Sequence, residues 1–226
     1  MISKPNILFL MTDQMQARVL EPGHPCHTPN LDLLAARGIR FSQAYTPNAV
    51  CSPARASLMT GLLPHNHGVL TVTHTVDEDQ SCLRTDNPHW AQVLSQIGYK
   101  TGYFGKWHVE QRHSLADFGW QVSAETAHGD FSSSLYEQKK RQISGDSPPS
   151  PTYSLSAYYD DRRGYHSNLF YGVTDVPPEQ RSVGLITSLA LDYLDQVVGK
   201  KESWCCFVSV PEPHDPFVTA REAFAH

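Results

Sequence analysis

Asn6-Ile7-Leu8-Phe9-Leu10-Met11-Thr12-Asp13-Gln14 opens the chain with five consecutive apolar residues between polar ones. An unbroken run of that length, with no alternation, is the pattern of a strand buried on both faces of a parallel sheet. It stops at Thr12-Asp13-Gln14, which places a carboxylate and an amide at the strand's carboxyl end, the edge where open α/β sheets bind ligands. A turn-forming Asp after a strand accounts for Asp13 equally well by itself, so its meaning depends on what else the chain brings to that edge.

Outward from this strand the chain alternates. Thr28-Pro29 starts a helix with Leu31, Leu34 and Ala35 on one face, and Gly38 closes it. Ile39 to Tyr45 reads as a strand. A second helix opens at Ser52-Pro53, carries Leu58 and Met59, and ends at Gly61. A third has Asn87 as its cap and Pro88 in its first turn, with Trp90, Val93, Leu94 and Ile97 inward and Gly98 after it. Tyr99 to Phe104 reads as the next strand. Arg181 to Val198 reads as a long amphipathic helix with Val183, Ile186, Leu189, Tyr193, Leu194 and Val197 inward, and it feeds a strand from Trp204 to Val210. The expected fold is α/β, a mainly parallel sheet sandwiched by helices. Between these elements, 111–180 is rich in Ser, Tyr, Asp, Pro and Gly without sustained periodicity, which suits a long lid or substrate loop.

The 226 residues are 40% hydrophobic, enough for one substantial core, and 23 acidic against 18 basic residues give a net charge of −5 with no long block of one sign. That excludes a basic nucleic-acid stripe and a polybasic membrane anchor. The first apolar run is too short for a membrane span and has no small-residue cleavage site after it, so it reads as a strand and not as a signal peptide. Five unevenly spaced cysteines with no CxxC pair suit a reducing cytoplasm.

Cys51-Ser52-Pro53-Ala54-Arg55 sets a cysteine at the start of a helix, where unpaired N–H groups and the helix dipole favour an anion, and puts a fixed cation one turn away. At this composition a C-x-P-x-R string arises by chance in roughly two of a hundred chains of this length. A free cysteine is more often a small buried hydrophobe.

The string has company. Val50-Cys51-Ser52-Pro53-Ala54-Arg55-Ala56-Ser57-Leu58-Met59-Thr60-Gly61 resembles the signature of the type I sulfatases, of the alkaline-phosphatase superfamily. The resemblance extends, in family order, to Asn6 through Gln14, to Thr101-Gly102-Tyr103-Phe104-Gly105-Lys106-Trp107-His108, and to Pro211-Glu212-Pro213-His214-Asp215-Pro216. It implies an alkaline-phosphatase-like core and hydrolysis of a sulfate monoester. Cys51 would be oxidised by a formylglycine-generating enzyme to formylglycine (3-oxoalanine), whose hydrate has one hydroxyl to attack sulfur and a second to expel the sulfate. By the same resemblance, Asp13, Gln14 and residue 51 would be ligands of a divalent cation, Ca2+ ahead of Mg2+ or Mn2+. Arg55 and Lys106 would hold charge at the site, Lys106 on the sulfate oxygens; His108 would bond the nucleophile, and His214 would assist the leaving alkoxide. Many members carry Asp-Asp where this chain has Asp13-Gln14, a departure shared with choline-sulfatase-like and phosphonate-monoester-hydrolase-like members.

Other conspicuous residues read as structural. His24, Cys26 and His27 have poor spacing for zinc and Pro-Gly surroundings. His65 and His67 are assigned to site-wall packing, and Asp86-Asn87 to capping. Members of the family are considerably longer than this chain, and their remaining cation ligands, a second active-site lysine, the last sheet strands and a smaller C-terminal domain lie in the part with no counterpart here. Residues 1–226 are therefore expected to be the N-terminal part of the catalytic domain, incomplete as an enzyme unless further sequence or a second chain completes it. The expected substrate is a small or carbohydrate sulfate ester, with no nucleic-acid or membrane partner and a homo-oligomer left open. A phosphonate monoester or phosphodiester hydrolase on the same scaffold, or a non-catalytic anion-binding fragment, are the competing readings.

Overall fold

The computed structural model describes residues 4–77, 79–84, 88–126, 133–145, 158–160 and 168–224. Its main sheet has four strands in the order β1 (Ile7–Thr12), β6 (Trp204–Val210), β2 (Lys100–Lys106) and β3 (Val122–Thr126), every neighbour parallel. The first strand and the last long apolar run pair directly, Ile7 opposite Cys205 through Thr12 opposite Val210. A second, mixed sheet joins β4 (Tyr158–Asp160) antiparallel to β5 (Asn168–Thr174) and β5 parallel to β7 (Phe217–Ala220).

Period-two alternation along the central strands sends successive side chains to two separate cores. On one face Tyr103, Cys205 and Phe207 pack with Ala56 and Met59 of helix α2 (Cys51–Thr60) and Ala91 of helix α4 (Trp90–Gln96). On the other, Phe104, Cys206 and Val208 meet Leu185, Ile186 and Leu189 of α6 (Ser182–Val197) and Tyr136 of α5 (Ser134–Ser144). Burial pushes the Cys205 and Cys206 thiols up to about 12, so both behave as small hydrophobes. Helices thus cover both faces of β6 and β2, but the expectation of a first strand buried on both faces fails: β1 is at the sheet edge, its Ile7, Phe9 and Met11 pack against the first core, and Leu8 and Leu10 are exposed on the other face. Among the described residues no helix is long and apolar enough to cross a membrane.

Several expectations need correction. Ile39 to Tyr45 is not a strand: residues 39–45 are coil, with Ile39, Phe41 and Tyr45 largely exposed, because among the described residues no strand edge pairs with them. Helix α1 (Pro29–Arg37) forms after Thr28 but buries none of its residues, including Leu31 and Leu34. Helix α2 begins at Cys51 itself, one residue earlier than expected, and ends on Gly61 in the left-handed conformation. Helix α4 starts later than expected and is capped by His89, whose side chain accepts from the Ala91 N–H while Gln92 returns to the His89 N–H; Asp86 and Asn87 lie outside the described residues. Val93 and Ile97, and Val183 in the first turn of α6, face solvent instead of the core.

The segment 111–180 is also more regular than its composition suggests. It supplies β3, α5, β4 and β5, and its Leu115, Phe118 and Trp120 are buried in the first core. Three apolar side chains within six residues suffice to anchor it: Leu115 and Phe118 share one face of a single 3-10 turn, Leu115–Phe118, too short to show as sustained periodicity. The stretches 146–157 and 161–167 within it lie outside the described residues.

Candidate active site

The carboxyl ends of β1, β6 and β2 meet at one edge, and Asp13 sits there, buried, with its backbone N–H donating to the carbonyls of Val210 (3.1 Å) and Glu212 (3.3 Å). The turn after β1 is thereby tied to the end of β6. The Asp13 carboxylate meets Lys106 Nζ at 2.5 Å and Arg55 Nη2 at 3.2 Å, both through Oδ2. Its other oxygen, Oδ1, lies 3.9 Å from Cys51 Sγ. Burial alone would raise the Asp13 carboxyl, but the hydrogen bond from Lys106 and the charges of Arg55 and Lys106 outweigh it and hold the group below its ordinary value.

Arg55, from the second turn of α2, is 1% exposed, and its hydrogen bonds run to the sheet edge. Nη1 donates to the Lys106 carbonyl and to Ser209 Oγ, each at 2.8 Å, and Nη2 to Asp13. The guanidinium therefore rivets α2 to the ends of three strands, and it reaches Cys51 only by way of Asp13. Tyr103 adds a hydroxyl bond to the same Lys106 carbonyl at 2.6 Å. Gly105 is needed for this approach: its φ is +104°, and an added Cβ would overlap the Ser209 carbonyl oxygen across the β2–β6 pair.

Beyond the strands, Gln14 (φ 62°) and His108 (φ 50°) are the non-glycine residues with left-handed backbones among the described residues. Each conformation costs roughly 1–2 kcal/mol, and both fall immediately after the strands that end at this edge, where strain of this kind concentrates in functional sites. Gln14 is exposed; His108 is buried, with Nε2 2.9 Å from Nδ1 of His74. His214 is half-buried in the loop after β6, its N–H bonded to the Pro211 carbonyl and its Nδ1 2.9 Å from the Asp215 carbonyl.

The structure thus brings Cys51, Arg55 and Lys106 each into contact with Asp13, and sets Gln14, His108 and His214 on the loops leaving the same edge. Ser209, Tyr103 and His74 join them without standing out in the sequence. A serine in the otherwise apolar run Trp204–Val210 is the one available signal for Ser209. His67 is buried wall packing, with Nε2 2.9 Å from Ser57 Oγ, and burial lowers its basicity; His65 is exposed and takes no part in that packing. His24 accepts from the Cys26 N–H in a surface turn.

Two buried cations converge on one carboxylate beside the first residue of a helix, an excess of positive charge suited to an anion. For a divalent cation the fit is partial. Asp13 presents one carboxylate oxygen toward residue 51 and Gln14 an amide, fewer hard donors than the six to eight that Ca2+ takes. Among the described residues no group of three or more His, Cys, Asp or Glu side chains is gathered for a metal.

A sequence profile of the sulfatase family matches residues 5–225. The choline-sulfatase of Rhizobium meliloti (strain 1021) is 30% identical over 226 residues, covering 97% of this chain and 40% of that protein. Among solved structures, Ps i-CgsB in complex with k-i-k-neocarrahexaose superimposes with a TM-score of 0.71 at 24% identity, over 99% of this chain and 48% of that one. The phosphonate monoester hydrolase of Agrobacterium radiobacter gives 0.66 at 20% identity, over 96% and 43%. The match spans 40% of the length of the curated relatives aligned over nearly the whole chain, and 10–22% of relatives aligned over about half of it. With the four motifs placed on one sheet edge of an alkaline-phosphatase-like fold, the chain belongs to the sulfatase family.

Proposed function

We propose that the protein to which these residues belong is a sulfuric ester hydrolase, with residue 51 as nucleophile after conversion of Cys51 to formylglycine by a formylglycine-generating enzyme. The observation that carries this reading is the contact of Asp13 with Cys51, Arg55 and Lys106 in one buried cluster. The modified residue would supply the attacking oxygen, and a divalent cation at Asp13, Gln14 and residue 51, Ca2+ by preference, would supply Lewis acidity. The remaining ligands would come from elsewhere in the protein.

This chain's own residues then divide the work. Arg55 fixes the Asp13 carboxylate and the Lys106 backbone relative to α2. Lys106 faces the charge that grows on the transferred group's oxygens, an interaction worth most in a buried site. His108 binds at the nucleophile, and His214 carries the proton to a departing alkoxide. The substrate class is a small or carbohydrate sulfate ester, and the protein acts in the cytoplasm, where thiols such as the exposed Cys26 stay reduced.

The test is turnover of a matched pair, an aryl sulfate and an aryl phosphonate monoester, by the full-length protein made with the maturation enzyme. The expected result is a higher kcat/KM for the sulfate. Preference for the phosphonate would reassign the reaction on the same scaffold, and anion binding without turnover of either would reduce the chain to a binding module.

A further inference from the structure

His74 belongs to a short 3-10 turn, Thr73–Thr75, and its ring is exposed. The turn is pinned from below: the Thr73 N–H donates to Ser52 Oγ at 3.3 Å, and both residues are buried. Ser52 follows Cys51 in the chain, so the turn is fastened to the start of the nucleophile helix. From there His74 meets His108 edge to edge and nearly in one plane, ring centroids 5.1 Å apart and planes within 17°, with His74 Nδ1 2.9 Å from His108 Nε2.

A hydrogen bond between two neutral imidazoles has one N–H and one lone pair, so it couples the two rings: the tautomer of one dictates the tautomer of the other. His108 has two ring nitrogens. Engagement of Nε2 by His74 assigns the other, Nδ1, to any further partner, and ties the orientation of the ring to the turn that carries His74. Rings placed edge to edge do not cover each other's faces, so what joins the two residues is the bond, and it requires a polar atom at the position of Nδ1. Catalysis that uses His108 depends on its tautomer and orientation, which is what an orienting partner supplies in a nucleophile–base–orienter arrangement.

We propose that His74 is a positioning residue: through its hydrogen bond to Nε2 it fixes the tautomer and ring orientation of His108 and leaves Nδ1 to serve the reacting group. This rests on the hydrolase reading, in which His108 acts at residue 51.

Three variants of the full-length, matured protein separate the bond from the bulk of the ring. His74→Phe keeps a ring and loses the nitrogen, His74→Asn keeps a polar atom near that nitrogen and loses the ring, and His74→Ala loses both. For each, kcat and KM are measured on an aryl sulfate, and the His108 ring nitrogens are followed by 15N NMR, with their signals identified by loss in His108→Asn. The expected result for Phe and Ala is a fall in kcat on the order of tenfold or more with KM changed less than about twofold, and partial rescue in Asn. The His108 nitrogens should shift from one dominant tautomer toward a mixture in His74→Phe. Wild-type kcat and unchanged His108 nitrogens in His74→Phe would overturn the proposal. If the wild-type protein hydrolyses no sulfate ester, the hydrolase reading fails, and the nitrogen shifts alone decide the role of His74.

Discussion

Helices α1 and α2 are nearly the same length, both carry a proline in their first turn, and they have opposite fates. The sequence of α1, with Leu31, Leu34 and Ala35 in register, has the clearer apolar face, yet none of its residues is buried. Helix α2 has a weaker pattern and buries six residues, three of them Ser52, Arg55 and Ser57. The difference lies in what each helix meets. Helix α2 lies against the first core with Ala56 and Met59 and sends Arg55 under the sheet edge to polar partners that engage both of its terminal nitrogens, whereas α1 and the exposed coil at 39–45 meet, among the described residues, no strand or helix that would cover them. Burial is a property of the pair of surfaces, and a helix built to hold a charge at a site can be buried with polar residues when each finds its partner.

The strongest way to break this contrast is to strip the α2 cluster of its anion. Asp13→Ala leaves Arg55 and Lys106 facing each other without a carboxylate in a buried site, which should cost about 3–5 kcal/mol of unfolding free energy by denaturant titration. In the full-length protein it should also abolish hydrolysis and lower cation occupancy. Unchanged turnover and metal content would remove Asp13 from the ligand set.

A smaller effect is expected from apolar truncation. Met59→Ala, at a position with no exposed surface, should destabilise by about 2–5 kcal/mol, while Leu34→Ala in the 226-residue chain, at 61% exposed, should fall within about 0.5 kcal/mol. A Leu34→Ala cost as large as that of Met59→Ala would show that α1 is packed after all.

Acid provides a milder and graded version of the Asp13 experiment. The folded-state pKa of this carboxyl lies below its unfolded value, so its contribution to stability is present above the ordinary carboxylate range and is lost as pH falls through the lowered value. Unfolding titrations from neutral to acid pH should show stability falling with pH, with a smaller slope in Asp13→Asn. Equal slopes would mean that the cluster does not hold the carboxylate ionised.

These contrasts also explain what could be read from the residues alone. The strand Trp204–Val210 is legible to the residue, since a buried parallel strand is one continuous apolar run, and α6 is legible because its pattern persists over four turns. Asp13, Cys51, Arg55 and Lys106 are legible as a set through the resemblance of their motifs to the family signature, since strand and helix patterns by themselves single out only Asp13 at a strand end and Cys51 with Arg55 at a helix start. Ile39 to Tyr45 misleads because strand propensity says nothing about whether an edge is available to pair with. Phe118 and Trp120 are hidden in a Ser- and Asp-rich segment, where composition outweighs a few anchoring side chains. His74 is invisible for a different reason: its partner lies 34 residues away, and no local pattern encodes that contact.

The central claim, that residue 51 is the nucleophile of a sulfate ester hydrolase, is tested most directly by mass spectrometry of the peptide that contains it, from full-length protein made with and without a formylglycine-generating enzyme and assayed in parallel on an aryl sulfate. The account predicts an aldehyde at residue 51 and hydrolysis in the first preparation, and a thiol with little or no hydrolysis in the second. Full hydrolysis by protein in which Cys51 remains an unmodified thiol would contradict it.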